Sequence, residues 1–311
     1  MKKTPVVFVT GATGFIGSHL VRRLLKESYN THILYRTTTS SSRLDDMLSK
    51  TTKHNVDICN KKSLEKLLKR IKPDYIFHLA NIGIYGGKES PDEDVVNVNF
   101  LGTVNLIQSS KDIPYKFFVN TGSSSEYGRK NKKMKEDDSC FPESMYGITK
   151  LASTLYAQNF AKKTNKPVLT LRLFSPYGSY DDPNRFISTI IKQALANKEI
   201  RLTYPKNVRD YIFVDDVINA YISCIKNGNK LSGEIINVGS GKQHTIEEVL
   251  NTVTKLIHTK SRVVKDDTIT RYESVIWQAD ITKAKNLLDW RPTTTLEDGL
   301  KQTIEWYKQN Y

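Results

Sequence analysis

Cysteine is scarce in this chain: three in 311 residues, Cys59, Cys140 and Cys224, all far apart. With no C-x-x-C pair among them, neither a zinc site nor a disulfide framework is expected, and a reducing cytoplasm is the natural compartment. Long apolar runs are missing too. The opening stretch Val6-Val7-Phe8-Val9 is too short for a secretion signal and runs into a glycine-rich turn, so it reads as a first β-strand. Nothing later approaches the roughly 20 apolar residues of a membrane span, and no membrane partner is expected. Acidic residues are the third shortage, 33 against 47 Lys plus Arg, for a net charge of +14. The densest basic patch, Arg129-Lys130-Asn131-Lys132-Lys133-Met134-Lys135, runs straight into Glu136-Asp137-Asp138. That is the composition of a solvated loop, so no nucleic-acid partner is expected. The excess charge would still attract a small anionic substrate.

What is present points to a layered α/β protein. Hydrophobic residues make up 38% of the chain, ample for a core, and the length suits two compact domains or one with an added lobe. Short apolar runs alternate with helical patterns in the first half. Strands are predicted at Val6–Thr10, His32–Tyr35, Tyr75–Leu79, Phe117–Asn120 and Val168–Leu173. Helices are predicted at Phe15–Glu27, Lys62–Arg70, Asn97–Ser109 and Tyr146–Lys162. Beyond these, Pro176, Pro183 and Pro205 break the pattern, with one more strand at Glu234–Val238 and a closing amphipathic helix at Leu296–Gln309. Such alternation predicts a parallel sheet flanked by helices. The expected division is a nucleotide-binding domain over 1–172 and a mainly substrate-binding lobe over 173–311, with 234–241 returning to the first sheet.

Between the first strand and first helix lies Gly11-Ala12-Thr13-Gly14-Phe15-Ile16-Gly17. Gly11 permits a tight turn, Gly14 lets the backbone approach a pyrophosphate, and Gly17 lets helix and strand pack closely. The free N–H groups of the helix then face the phosphates. At the end of the second strand an NAD site usually carries a carboxylate for the ribose 2′-hydroxyl. Here the chain reads Leu34-Tyr35-Arg36-Thr37, then Ser40–Ser42 and Arg43, with no carboxylate until Asp45. Guanidinium groups and hydroxyls suit a 2′-phosphate, so NADP(H) is favoured over NAD(H).

Tyr146 and Lys150 stand one helical turn apart. A phenol with a pKa near 10 is a poor acid or base at neutral pH, and an ammonium on the same helix face favours its phenolate. Upstream, Thr121-Gly122-Ser123 ends a strand, where a hydroxyl points into the ligand crevice. His19 and His78 fall within a helix and a buried strand and read as packing residues. Trp290, Trp306 and Tyr307 read as packing around the final helix.

In this order the motifs resemble the extended short-chain dehydrogenase/reductases, specifically the nucleotide-sugar epimerase, dehydratase and reductase family. The resemblance extends through Val56-Asp57-Ile58, His78-Leu79-Ala80, Asn99-Phe100-Leu101-Gly102-Thr103, Arg209-Asp210-Tyr211-Ile212-Phe213-Val214-Asp215-Asp216 and Asn237-Val238-Gly239-Ser240-Gly241. It implies a Rossmann-type, doubly wound parallel sheet with a smaller, mostly C-terminal substrate lobe. Tyr146 would be the general acid/base, Lys150 its electrostatic partner on the nicotinamide ribose, and Ser123 the hydrogen-bond partner of the reacting sugar oxygen. The implied cofactor set is Gly11, Thr13, Gly14, Phe15, Ile16, Gly17, Arg36, Arg43, Asp57, Ile58, Leu79, Ala80, Asn99, Tyr146 and Lys150. The implied substrate set is Ser124, Ser125, Ser175, Arg209 and Arg271. A homodimer through the Asn97–Ser109 and Tyr146–Lys162 helices is implied as well.

Three departures sort the branches. The family's 4,6-dehydratases carry acidic residues where this chain has Ser124 and Ser125, and water elimination needs both an acid and a base there. Arg36 replaces the carboxylate of NAD-retaining epimerases. Ser175 stands where Arg-x-x-Asn-x-Tyr-Gly has its asparagine. The segment Gly122–Gly128 resembles the GDP-4-keto-6-deoxymannose reductases, and Ile84–Glu89 the CDP-abequose and CDP-paratose synthases. The expected activity is NADPH-dependent reduction of the 4-keto group of a nucleotide-linked 4-keto-6-deoxy or 3,6-dideoxy hexose, in deoxysugar biosynthesis. The alternative is an NAD-dependent nucleotide-sugar epimerase acting at carbon 4 or carbon 2.

Overall fold

The computed structural model describes residues 4–38, 40–85, 88–227, 231–266 and 276–311. Seven strands form one sheet: β1 Val6–Thr10, β2 Asn30–Tyr35, β3 Thr52–Asn55, β4 Tyr75–His78, β5 Phe117–Ser123, β6 Val168–Leu173 and β7 Ile235–Val238. Their order across the sheet is β3-β2-β1-β4-β5-β6-β7, and every pairing is parallel. Strand order reverses between β1 and β4, which opens the crevice where α/β sheets bind ligands.

Period-2 alternation divides the core between the two faces of the sheet. Val7, Val9 and Ile33 pack on one face with Leu20 and Leu24 of α1 (Phe15–Lys26) and with Val217 and Tyr221 of α6 (Val214–Asn227). Phe8, Leu34 and Ile76 pack on the other. There they meet Leu64, Leu67 and Leu68 of α2 (Lys61–Ile71), Leu106 of α3 (Gly102–Ser109) and Phe160 of α4 (Met145–Thr164). β3 carries no apolar signal, because of Thr52-Lys53-His54-Asn55 only His54 is buried; its pairing with β2 makes it an edge strand. The single helix expected over Asn97–Ser109 is broken: a π-helical stretch, Val96–Leu101, precedes α3. The buried Asn99 amide within it accepts from Ile82 N at 2.8 Å and donates to Ile82 O at 2.8 Å, so side-chain bonds to the loop after β4 hold the irregular turn.

The second lobe contributes α5 (Phe186–Leu195), α7 (Ile246–Ile257), α8 (Thr282–Leu288) and α9 (Leu296–Asn310). Two-stranded pairs tie it together: Ser175–Tyr177 with Tyr211–Phe213, Val208–Arg209 with His244–Thr245, and Ile200–Thr203 with Val263–Asp266. A small separate cluster of Tyr127, Met134, Phe174 and Ala279 lies beneath the basic-acidic loop. Backbone bonds from Met134 to Gln278 and from Asp280 to Met134 pin residues 278–280 beside that loop. Among the described residues no helix is long and apolar enough to cross a membrane.

Candidate active site

The carboxyl end of β5 delivers Ser123 to the crevice, and the chain turns at once into a 3₁₀ segment, Ser124–Glu126. Opposite it, α4 begins beneath a Ser144 cap whose hydroxyl accepts from Gly147 N at 3.1 Å. Gly147 explains the close approach of the two elements: a Cβ there would stand 2.6 Å from the Ser125 carbonyl oxygen. That contact brings the first turn of α4, with Tyr146, against the serine segment. The Tyr146 ring also faces the loop after β4, where a Cβ on Gly83 would be 3.1 Å from it.

One turn on, Lys150 is buried, with 2% of its surface exposed. Burial draws its pKa down to about 8, with the Glu126 carboxylate opposing. A buried ammonium is costly unless a partner or a ligand completes it. Glu126 is itself locked in place. Its Oε1 accepts from Ser123 N at 2.7 Å and from Thr154 Oγ1 at 3.0 Å, and its Oε2 accepts from Arg172 Nε at 2.7 Å. Burial pushes this carboxyl up while Arg172 and the Ser123 N–H pull against it. One residue thus joins β5, α4 and β6. Glu126 is the carboxylate that directly follows Ser124 and Ser125, and the ion pair with Arg172 occupies it.

The nucleotide cradle lies at the carboxyl end of β1. Gly11 has φ +67°, and a Cβ on it would sit 2.5 Å from Ala80 N, while one on Gly17 would strike the Gly11 carbonyl at 2.0 Å. Gly14 caps α1 without a side chain, and the first turn holds no acidic residue. The N–H groups of Phe15, Ile16 and Gly17 have no intrahelical partner by position, so they are available to a pyrophosphate. These features fit a dinucleotide, which Gly11, Thr13, Gly14, Phe15, Ile16 and Gly17 would hold at its phosphates. Asp57 is exposed with Oδ1 accepting from Cys59 N at 2.7 Å, beside the buried Ile58. Leu79 and Ala80 line the Gly11 turn, and Asn99 holds the following loop through Ile82. Arg36 is exposed at the end of β2, whereas Arg43 Nε donates to the Tyr180 carbonyl at 2.6 Å, toward the second lobe.

His78 forms part of the frame. Its buried ring bonds Thr10 Oγ1 at 2.7 Å and Thr103 Oγ1 at 2.8 Å, and burial lowers its pKa to about 3. His19 bonds the Ser179 carbonyl at 2.9 Å.

The second lobe carries a cavity of about 320 Å³ lined by Ser175, Asp181, Arg185, Phe186, Thr203, Tyr204, Asn207, Arg209 and Tyr211. Ser175 and Arg209 therefore meet in one pocket. Arg271 lies outside the described residues. The sequence reading passed over Trp277, whose indole Nε1–H donates to Ser124 Oγ at 3.2 Å while the Arg209 guanidinium lies 4.7 Å over its ring. The only signal available to sequence was an aromatic residue three places before Asp280. Among the described residues there is no group of three metal-ligating side chains.

Comparison with known proteins agrees with this geometry. The chain is 31% identical to the UDP-glucuronate 4-epimerase of Thermodesulfobacterium geofontis, covering 97% of this chain and 96% of that one. It superposes with a TM-score of 0.90 on the Thermotoga maritima UDP-glucose 4-epimerase with UDP-glucose, at 25% identity over 98% and 99% of the chains. The Bacillus cereus UDP-glucuronic acid 4-epimerase, in complex with UDP-glucuronic acid and NAD, gives 0.87 at 30% identity over 98% and 100%. The model of the NAD dependent epimerase/dehydratase family matches residues 7–239, and with a Rossmann-type sheet and a nucleotide cradle beside Ser123, Tyr146 and Lys150, the chain belongs to that family.

Proposed function

We propose that the protein is a nucleotide-sugar 4-epimerase, with Ser123, Tyr146 and Lys150 as its catalytic residues. The sequence alone favours a 4-ketoreductase; the 4-epimerases among its relatives move the preference to the epimerase. The observation that carries the reading is Lys150, buried one helical turn from Tyr146 on α4, with its pKa drawn down to about 8.

The bound dinucleotide would supply a hydride acceptor and donor. Tyr146 takes the proton of the sugar hydroxyl at the reacting carbon and returns it, and Ser123 Oγ holds that oxygen in line. Lys150 stabilises the phenolate and draws its pKa toward neutrality. The cavity beside Arg209 takes the nucleoside and Arg209 the diphosphate, so orientation comes from parts of the substrate that do not react. Serines at 124 and 125, with Glu126 held by Arg172, leave water elimination without its acid and base.

A second reading, NADPH-dependent reduction of a nucleotide-linked 4-keto sugar, keeps one specific support: Arg36 at the end of β2, with no carboxylate there. As assembly we propose a homodimer. Leu101, Ile148 and Leu155 are 43%, 47% and 52% exposed, and the last two share a face of α4 seven residues apart.

Incubation with UDP-glucose and UDP-glucuronic acid, followed by separation of the sugar epimers, tests the assignment. Epimer formation without net change in nicotinamide absorbance, lost by a factor of about 10² or more in Tyr146→Phe, is the expected result. Stoichiometric NADPH consumption with a 4-keto sugar, and no epimer, would transfer the assignment to the reductase.

A further inference from the structure

We infer that Trp277 positions the substrate at the junction between its diphosphate and its hexose, carrying Arg209 on its ring face and Ser124 on its ring edge. This rests on the nucleotide-sugar reading above. The indole stands between two parts of the site that the fold brings from distant sequence. Its Nε1–H reaches Ser124 Oγ at 3.2 Å, next to Ser123 at the end of β5. Its face supports the Arg209 guanidinium at 4.7 Å, and Arg209 lines the substrate cavity.

The indole is fixed before any substrate arrives. Trp277 N donates to Gln243 Oε1 at 2.9 Å, Gln278 O accepts from Met134 N at 2.8 Å, and Ala279 N donates to Asp210 Oδ2 at 2.9 Å. Asp210 adjoins Arg209 and also accepts from Ser240 and Gly241 N–H groups, so platform and arginine share one anchor. The Arg209 guanidinium, 4.7 Å over the indole and with Nη1 donating to the Val208 carbonyl at 2.8 Å, is held at the edge of the cavity, where a phosphate oxygen would meet it. Ser124 Oγ, accepting from the indole, keeps its own proton to donate to a sugar hydroxyl. One side chain therefore fixes the spacing between the diphosphate site and the hexose site, and preorganisation of this kind improves binding of the intact nucleotide sugar.

The chain holds three tryptophans. Trp290 bonds the Asp216 carbonyl and Trp306 packs on Tyr180, both away from Arg209, so Trp277 is the natural reporter of a ligand there. UDP, dTDP, CDP and GDP, each alone, are titrated by calorimetry and by indole fluorescence against wild type, Trp277→Phe and Trp277→Ala. The expected result is a fluorescence change in wild type that saturates with calorimetric binding of at least one diphosphate. Trp277→Phe should bind that diphosphate within about twofold yet lose the change, because it keeps a ring face. Trp277→Ala should bind about three- to tenfold more weakly, the scale of a cation–π contact, and raise KM for the nucleotide sugar with kcat within about twofold. Equal affinity in all three proteins with unchanged wild-type fluorescence overturns the inference while leaving the nucleotide-sugar reading intact. Absence of binding by any diphosphate to wild type removes that reading, and this inference with it. Should the alanine variant not fold, as judged by circular dichroism, the wild-type and phenylalanine arms decide.

Discussion

At Lys150 the proposed mechanism sets two requirements against each other: the side chain would have to stay charged to assist Tyr146, yet it is buried away from water. The compromise is a pKa drawn down to about 8 by burial. Activity in the unliganded enzyme should therefore fall as pH rises through about 8, when the ammonium loses its proton, and the pH profile of kcat/KM reads this directly. The sign for stability is opposite. Between about 8 and the lysine's ordinary 10.5 the unfolded chain holds a proton that the folded one does not, so folding stability gains with pH across that window. Lys150→Met should flatten that stability curve in urea titrations. Glu126 is the second residue-scale test. Glu126→Gln would leave Arg172 buried and charged without its partner, a loss of about 3–5 kcal/mol in urea unfolding. It would also remove the carboxylate that opposes the lowering of Lys150, so the alkaline limb of the activity profile should move to lower pH. Sequence displayed Ser123, Tyr146 and Lys150 because their chemistry repeats at fixed spacings. It did not display the grip of Glu126 on Arg172 or the seat of Trp277, since those partners lie 46 and 153 positions away.

At the scale of elements, the crevice depends on how closely α4 approaches the serine segment. Gly147→Ala places a methyl group 2.6 Å from the Ser125 carbonyl oxygen and 3.0 Å from the Pro142 ring, so the helix start must move. The expected outcome is a drop in kcat of about 10² with dinucleotide affinity nearly unchanged, measured by steady-state kinetics beside cofactor titration. Elements of strong period were legible: β1, β6 and β7, and the helices α1, α2, α4 and α9, appear within a residue or two of expectation. β3 was not, because an edge strand of Thr, Lys, His and Asn offers no hydrophobic alternation. The π-helical stretch at Val96–Leu101 was not either, because it is imposed by Asn99 bonding a loop seventeen residues back. α5 lies between Pro183 and Pro205, where proline interrupts the pattern, and α6 and α7 were likewise absent from the expected elements.

At the scale of the molecule, the apolar residues left on α4 and on the π-helical stretch bear on assembly. On the proposed homodimer the wild type should sediment as a dimer, and Leu155→Arg, which puts a charge on the exposed face shared with Ile148, as a monomer. Sequence by itself determined the order of the layers, since period-2 runs alternating with helical ones admit few arrangements besides a parallel sheet. It also determined the glycine turn between β1 and α1, because a positive φ at Gly11 and the close packing of helix on strand at Gly17 each require glycine at a fixed place. The tertiary structure alone decided which residues surround the reacting groups. Arg172 reaches Glu126, and Trp277 spans Ser124 and Arg209, only because parallel β5 and β6 and the returning 277–280 segment bring remote positions within bonding distance. Hydrogen bonds and ring contacts depend on distance in space, and a linear pattern carries only distance along the chain.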